Sequence, residues 1–237
     1  MTAPYIIMRN TMTRHLYWFL PLLALAFFAP FSADIDLEVS RYFFHGDEFT
    51  EDRFTEFMFK WGNLPGQLLG GSAVLLWMAT CFTKRWQQWR KAAAAVALAF
   101  IIGPGILVNG VFKEVWGRPR PREITEFGGK HTFRPFYHPD FSENGYGNKS
   151  FPSGHVSMGF FFLTLALVAR RENLSNLSYI GFFIAFEMGL LLALARIAQG
   201  GHYFSDCLFA AILMWWLTMA SCRFIYGPYS AKQLVVT

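Results

Sequence analysis

The sequence predicts an all-α, polytopic membrane protein: one domain over residues 1–237 in which six transmembrane helices form a bundle, with the polar site at its outer membrane face. Three observations predict it. Hydrophobic residues make up 54% of the 237 and charged residues only 16%, a balance foreign to soluble domains. The apolar residues come in runs close to the roughly 20 that a helix needs to cross a bilayer. The basic residues, which leave a net charge of +5, fall at the ends of those runs or inside three short polar stretches. Membrane lipid, and not nucleic acid, is the anionic partner that such a distribution suits. Cys81, Cys207 and Cys222 are too scattered for a disulfide framework or a zinc site and read as packing residues.

The first span, 16–33, is expected to be retained, although Phe31-Ser32-Ala33 faintly resembles a signal-peptide cleavage site. Residues 34–63 turn acidic and are expected to form an outside loop. Phe43, Phe44, Phe54, Phe57, Phe59 and Trp61 make that loop amphipathic, so part of it suits either an interfacial helix or packing against the bundle. The second span is 65–82, and Lys84, Arg85, Arg90 and Lys91 after it mark a cytoplasmic turn. The third, 92–112, should kink at Gly103-Pro104-Gly105. The stretch 113–151 is rich in Gly, Pro and aromatics and carries Lys113, Arg118, Arg120, Arg122, Lys130, Arg134 and Lys149 on the outer side. Cations placed there against the charge rule are most economically explained by an anionic ligand. The fourth span, 156–169, is short and is turned back by Arg170-Arg171. The fifth, 179–197, contains Glu187, which costs about 2.5–3.5 kcal/mol if central and ionised, so it is expected to be paired inside the bundle or protonated. The sixth is 207–226. Both termini then lie in the cytoplasm, and all three polar stretches share the outer face.

Those stretches are Lys113 to Pro121, Pro152 to His155 and Arg196 to Asp206. His202 and Asp206 are four residues apart, one helical turn, so the carboxylate can accept from one imidazole nitrogen and leave the other as a nucleophile. The Gln199-Gly200-Gly201 turn folds Arg196 back toward His202. Ser153 can cap a helix, Gly154 lets backbone N–H groups approach a ligand, and His155 stands where a proton can be given to a departing oxygen. Lys113 offers a point charge and Arg120 a planar fork, a combination suited to phosphoryl oxygens. Each stretch alone also fits a plainer role: a helix-start contact, a proline-serine cap, a basic anchor at the membrane edge. Together they supply what binding and cleaving a phosphate ester requires.

Lys113-x6-Arg120-Pro121, Pro152-Ser153-Gly154-His155 and Arg196-x5-His202-x3-Asp206 resemble, in order and spacing, the three-part signature of the type 2 phosphatidic acid phosphatase superfamily. The resemblance covers residues 113–206, and the six-helix layout extends it to most of the chain. It implies a phosphatase needing no metal or other cofactor, in which His202 attacks phosphorus, Asp206 orients it and His155 protonates the leaving group. Lys113, Arg120, Ser153, Gly154 and Arg196 would hold the phosphoryl oxygens. Ala195 stands where the pattern usually has serine, which removes one secondary hydrogen bond. Outside the signature, Ile102-Gly103-Pro104-Gly105, the stretch around Trp116-Gly117-Arg118-Pro119 and Gln199-Gly200-Gly201-His202 are similar to bacterial lipid A phosphatases, the 4′-phosphatases especially. That implies a phospholipid or glycolipid phosphate as substrate. The aromatic and basic loop through Lys130, His131, Arg134, Tyr137 and His138 is placed either to touch the headgroup, through Lys130 and Arg134, or to serve as a lid that covers the site. The resemblance also implies an inner-membrane location with a periplasmic site, and no obligate protein partner. Phosphatidylglycerophosphate and undecaprenyl diphosphate phosphatases share the superfamily. The vanadate-dependent haloperoxidases share the anion pocket but are soluble, and a silent lipid-binding protein would not need the full set of histidines, aspartate and cations. No compact carboxylate set is present for magnesium, and His131 and His138 leave a zinc site conceivable.

Overall fold

A computed structural model of the chain describes residues 18–228, so the start of the first expected span and the expected cytoplasmic termini lie outside the described residues. It is mostly helical. We number the helices α1 (Trp18–Tyr42), α2 (Arg53–Trp61), α3 (Leu64–Phe82), α4 (Lys84–Val115), α5 (Gly154–Phe160), α6 (Leu163–Arg171), α7 (Ser175–Ala198) and α8 (Phe204–Tyr226). Among the described residues, five helical runs are long and apolar enough to cross a membrane: α1, α2 with α3, α4, α7 and α8.

The expected fourth span behaves differently. It is broken at Phe161-Phe162 into α5 and α6 and forms the centre of the bundle, with α4, α7 and α8 packed around it. From Phe151 to Ala169 every residue except His155 and Leu165 is buried. Small residues make that packing close: a Cβ on Gly159 would stand 2.7 Å from Gly189, and one on Gly181 would stand 2.7 Å from Ala166. Such crossings hold helices together in lipid, where apolar side chains gain little from leaving their surroundings.

The acidic stretch is a second departure. Residues 34–42 continue α1 as helix instead of opening a loop. Ser32, Asp36 and Ser40 recur every four residues and form one buried polar stripe, so this end of α1 turns its polar side inward. A two-stranded hairpin follows, pairing Phe44 with Phe49 and His45 with Glu48. The amphipathic helix α2 then starts on a capping box, with Asp52 Oδ1 accepting from the Thr55 N–H at 2.7 Å and Thr55 Oγ1 accepting from the Asp52 N–H at 3.0 Å. Met58 packs on Leu192 and Ala195 of α7, while Phe54, Phe57, Phe59 and Trp61 stay exposed.

The kink expected at Gly103-Pro104-Gly105 is realised as a π-helical stretch, Ile101–Phe112, inside α4. Proline has no N–H to donate and crowds the preceding turn, and a wider turn accommodates both faults. Asn109 Nδ2 occupies the Pro104 carbonyl at 2.6 Å. Glu187 lies on the exposed face of α7, so of the two states expected for it, pairing inside the bundle is not the one it adopts.

Candidate active site

Lys113 is in the last turn of α4, Ser153 and His155 are at the start of α5, Arg196 is in the last turn of α7, and Asp206 is in the first turn of α8. Four helix ends therefore meet at one end of the bundle. Ser153 caps α5 through Oγ, which accepts from the Val156 N–H, and its own N–H donates to the Asp206 carbonyl at 3.3 Å. Gly154 is a glycine because of a neighbour: a Cβ there would stand 3.0 Å from Lys113 Nζ and 3.3 Å from Asn109 Oδ1. Gly201 has the same reason, since a Cβ there would collide with the Arg196 guanidinium.

Arg196 is 5% exposed, held by Gln199 Oε1 at 2.5 Å and lying 4.7 Å from the centre of the Phe59 ring. Arg120 and Arg196 both lie near enough to Lys113 to repel it. Three cations so grouped are favoured only by an anion between them. The Nε atoms of Arg120 and Arg196 and the Nδ1 of His202 are buried without a hydrogen-bond partner, a cost that a bound oxyanion would relieve for the two arginines.

His155 is half-buried, stacked on Phe59 with ring centres 5.4 Å apart, and its Nε2 is 3.0 Å from the Phe59 carbonyl oxygen. A carbonyl only accepts, so Nε2 carries the proton there and Nδ1 is the nitrogen left for other partners. Phe59, expected only as one aromatic of the amphipathic acidic stretch, touches both His155 and Arg196.

His202 is 2% exposed, and burial holds its imidazole down at about 3, against the ordinary 6.5. The hydrogen bond expected between it and Asp206 is not closed: His202 Nδ1 stands 3.7 Å from Asp206 Oδ2, an ion-pair distance. The reason is that Asp206 already has donors. Arg118 Nη1 is 2.5 Å from Oδ1, and Ser150 Oγ and the Tyr203 N–H donate to Oδ2 at 2.6 and 3.0 Å.

Arg118, expected with the other loop cations to face a ligand, is instead fully enclosed at 1% exposure. Its Nη2 donates to Asp36 Oδ2 at 2.8 Å, its Nε to the Arg134 carbonyl at 2.8 Å, and its guanidinium lies 4.1 Å from the centre of the Tyr203 ring. Burial works against this charge, but the facing carboxylates of Asp206 and Asp36 outweigh it and raise the pKa. Three more loop cations are paired with carboxylates, Arg134 with Asp140 at 2.9 Å, Lys149 with Glu114 at 2.6 Å and, more loosely, Arg120 with Glu123 at 3.6 Å. Arg134 thus braces the loop through both its carbonyl and its side chain, which weakens its expected part as a headgroup contact. Lys130, His131 and His138 are exposed. Among the described residues no three His, Cys, Asp or Glu side chains come together as metal ligands.

A helical membrane protein that gathers three cations, two histidines and a buried carboxylate at converging helix ends is built for oxyanion chemistry. The chain belongs to the PAP2 superfamily, whose family profile matches residues 92–228, and is a phosphatase by that membership. It is 36% identical over 155 residues to a lipid A 4′-phosphatase of Francisella tularensis subsp. novicida, covering 65% of this chain and 67% of the relative. It is 31% identical over 151 residues to a lipid A 4′-phosphatase of Rhizobium leguminosarum, covering 61% and 60%. A probable lipid phosphate phosphatase 4 of Arabidopsis thaliana is 30% identical over 136 residues, covering 47% of this chain and 42% of its own. No solved structure matches the chain.

Proposed function

We propose that the protein is a lipid A 4′-phosphatase of the bacterial inner membrane, with its active site on the periplasmic side, both termini in the cytoplasm and no metal in the reaction. The observation that carries the phosphoryl chemistry is the set of unpartnered buried donors on Arg120 and Arg196 beside Lys113. The likeness to relatives named lipid A 4′-phosphatase supports the substrate.

In this reading Lys113, Arg120, Arg196 and the Ser153-Gly154 turn hold the phosphoryl oxygens and neutralise charge that a metal would otherwise have to offset. His202 Nδ1 faces Asp206, so Nε2 is the nucleophile. Its lone pair forms the N–P bond as the P–O bond to the lipid breaks. His155 acts here from its doubly protonated form: Nε2–H stays on the Phe59 carbonyl, and the Nδ1 proton passes to the lipid oxygen as the P–O bond breaks, leaving neutral His155. Water then attacks phosphorus, gives a proton to His155, and releases phosphate and free His202. Positive charge develops on the imidazole while phosphate is attached, and Asp206 lies beside it to stabilise that charge.

The test is turnover by the purified protein in chelator, against lipid A, phosphatidylglycerophosphate, phosphatidate and undecaprenyl diphosphate. Preferential release of phosphate from lipid A is expected. Dependence on an added divalent ion would overturn the metal-free mechanism, and preference for another lipid would overturn the substrate.

A further inference from the structure

Asp36 is fully buried, comes from the first helix and lies outside the 92–228 match, and no step of the reaction above uses it. Its surroundings are specific. Oδ1 accepts from the Ser205 N–H at 2.8 Å; Oδ2 accepts from Ser205 Oγ at 2.5 Å and from Arg118 Nη2 at 2.8 Å. Ser205 Oγ in turn accepts from Arg118 Nη1 at 2.8 Å. One carboxylate therefore grips the first turn of α8, which carries Asp206 and follows directly on His202, and also the one guanidinium that pairs with Asp206.

The charge arithmetic gives this arrangement a purpose. Arg118 alone would cancel Asp206 and leave His202 beside a neutral pair. With an ionised Asp36 added, two carboxylates share one guanidinium, and the cluster carries a formal charge of about −1 next to the imidazole that must turn positive. Asp36 engages Nη2 of Arg118 while Nη1 meets Asp206 Oδ1, which leaves Oδ2 as the Asp206 oxygen that faces His202.

Resting on the histidine phosphatase reading above, we infer that Asp36 is a positioning residue for the His202–Asp206 pair: it holds Arg118 and the start of α8 so that Asp206 keeps both its place and its net charge. Asp36 touches no substrate. Its loss should therefore slow the steps in which His202 carries charge and leave oxyanion binding alone.

The experiment compares full-length wild type, Asp36→Asn, Arg118→Gln and the double variant in detergent, with lipid A and nitrophenyl phosphate as substrates and tungstate as an oxyanion probe. Wild-type inactivity on both substrates would fail the phosphatase reading itself, before any variant is compared. With wild type active, Asp36→Asn is expected to lower kcat about 10- to 100-fold on both substrates alike, with KM and tungstate inhibition unchanged within about threefold. Arg118→Gln leaves two buried carboxylates facing each other, and the double variant, with Asp206 as the one charge left, should regain at least about tenfold in activity over it. A folded Asp36→Asn variant with wild-type kcat overturns the inference. So does a parallel loss of kcat and tungstate affinity, or a double variant no better than Arg118→Gln. Failure of every variant to fold assigns Asp36 to folding alone and overturns it as well.

Discussion

Gly201→Ala is the smallest change that should reach the chemistry. The added methyl would collide with the Arg196 guanidinium, the far end of a flexible side chain, so the backbone has no need to move and the fold should survive. The guanidinium must withdraw by about 1 Å, a displacement sufficient at a reacting centre to cost up to about 10²-fold. It has little room: Gln199 Oε1 holds it at 2.5 Å and the Phe59 ring lies 4.7 Å away. A charge-assisted hydrogen bond lost to the phosphoryl group is worth about 1.5–3 kcal/mol, so kcat/KM should fall roughly 10- to 150-fold. The assay is a double-mutant cycle on nitrophenyl phosphate with Arg196→Ala, with thermal midpoints recorded in the same detergent. Gly201→Ala should cost almost nothing in the Arg196→Ala background, because the group it displaces is gone. An undiminished loss in that background would place the effect in the turn and not in Arg196, and a loss under twofold in the wild-type background would refute the reasoning outright.

Two further outcomes follow from the histidines. His155→Ala should lose about 10²–10⁴ in rate on a lipid phosphate but far less on nitrophenyl phosphate, whose leaving group needs little protonation, whereas His202→Ala should abolish both. Rescue of His202→Ala by the good leaving group would mean that the two roles are reversed. The second outcome is in stability. Because burial holds folded His202 near 3 and the unfolded imidazole titrates near 6.5, only the unfolded state gains this proton as pH falls from 6.5 toward 3, and stability is lost across that window. Between pH 7 and 5 the loss from this residue is about 2 kcal/mol, so His202→Gln should lose that much less than wild type in thermal unfolding. Equal losses would show that His202 is not held neutral.

The parts of the site that the sequence made legible are local ones. Four residues from His202 to Asp206 are one turn wherever a helix starts, Ser153 before Gly154 caps whatever helix follows, and Lys113 ends an apolar run and so sits at a helix end. The helical spans were legible for the same reason, since apolar length needs no partner to be read. Two features were legible only in part, for physical reasons. Residues 156–169 were legible as apolar but not as central, because periodicity does not distinguish lipid contact from helix contact, and the segment is the buried, broken centre of the bundle. Glu187 was expected to be paired inside the bundle or protonated, and it lies on the exposed face of α7, outside any such pairing.

What escaped the sequence is the scaffold behind the motifs, and it escaped because its contacts are distant. Arg118 meets Asp36 across 82 residues, Ser205 meets Asp36 across 169, and His155 meets the Phe59 carbonyl across 96. Composition even pointed the wrong way for these groups, since acids after a span suggest a wet loop and arginines in a phosphate-binding stretch suggest a ligand. A clue was nonetheless present: Ser32, Asp36 and Ser40 recur at four-residue spacing, which in helix makes one polar stripe and in a loop means nothing. A polar stripe at the end of a membrane helix has to find buried partners or water, so its register identifies which charge in the downstream loop is structural. By that argument Arg118 is set apart from Arg120, two residues on: Arg118 completes the stripe, while Arg120, loosely paired with Glu123, keeps a buried Nε without a hydrogen-bond partner.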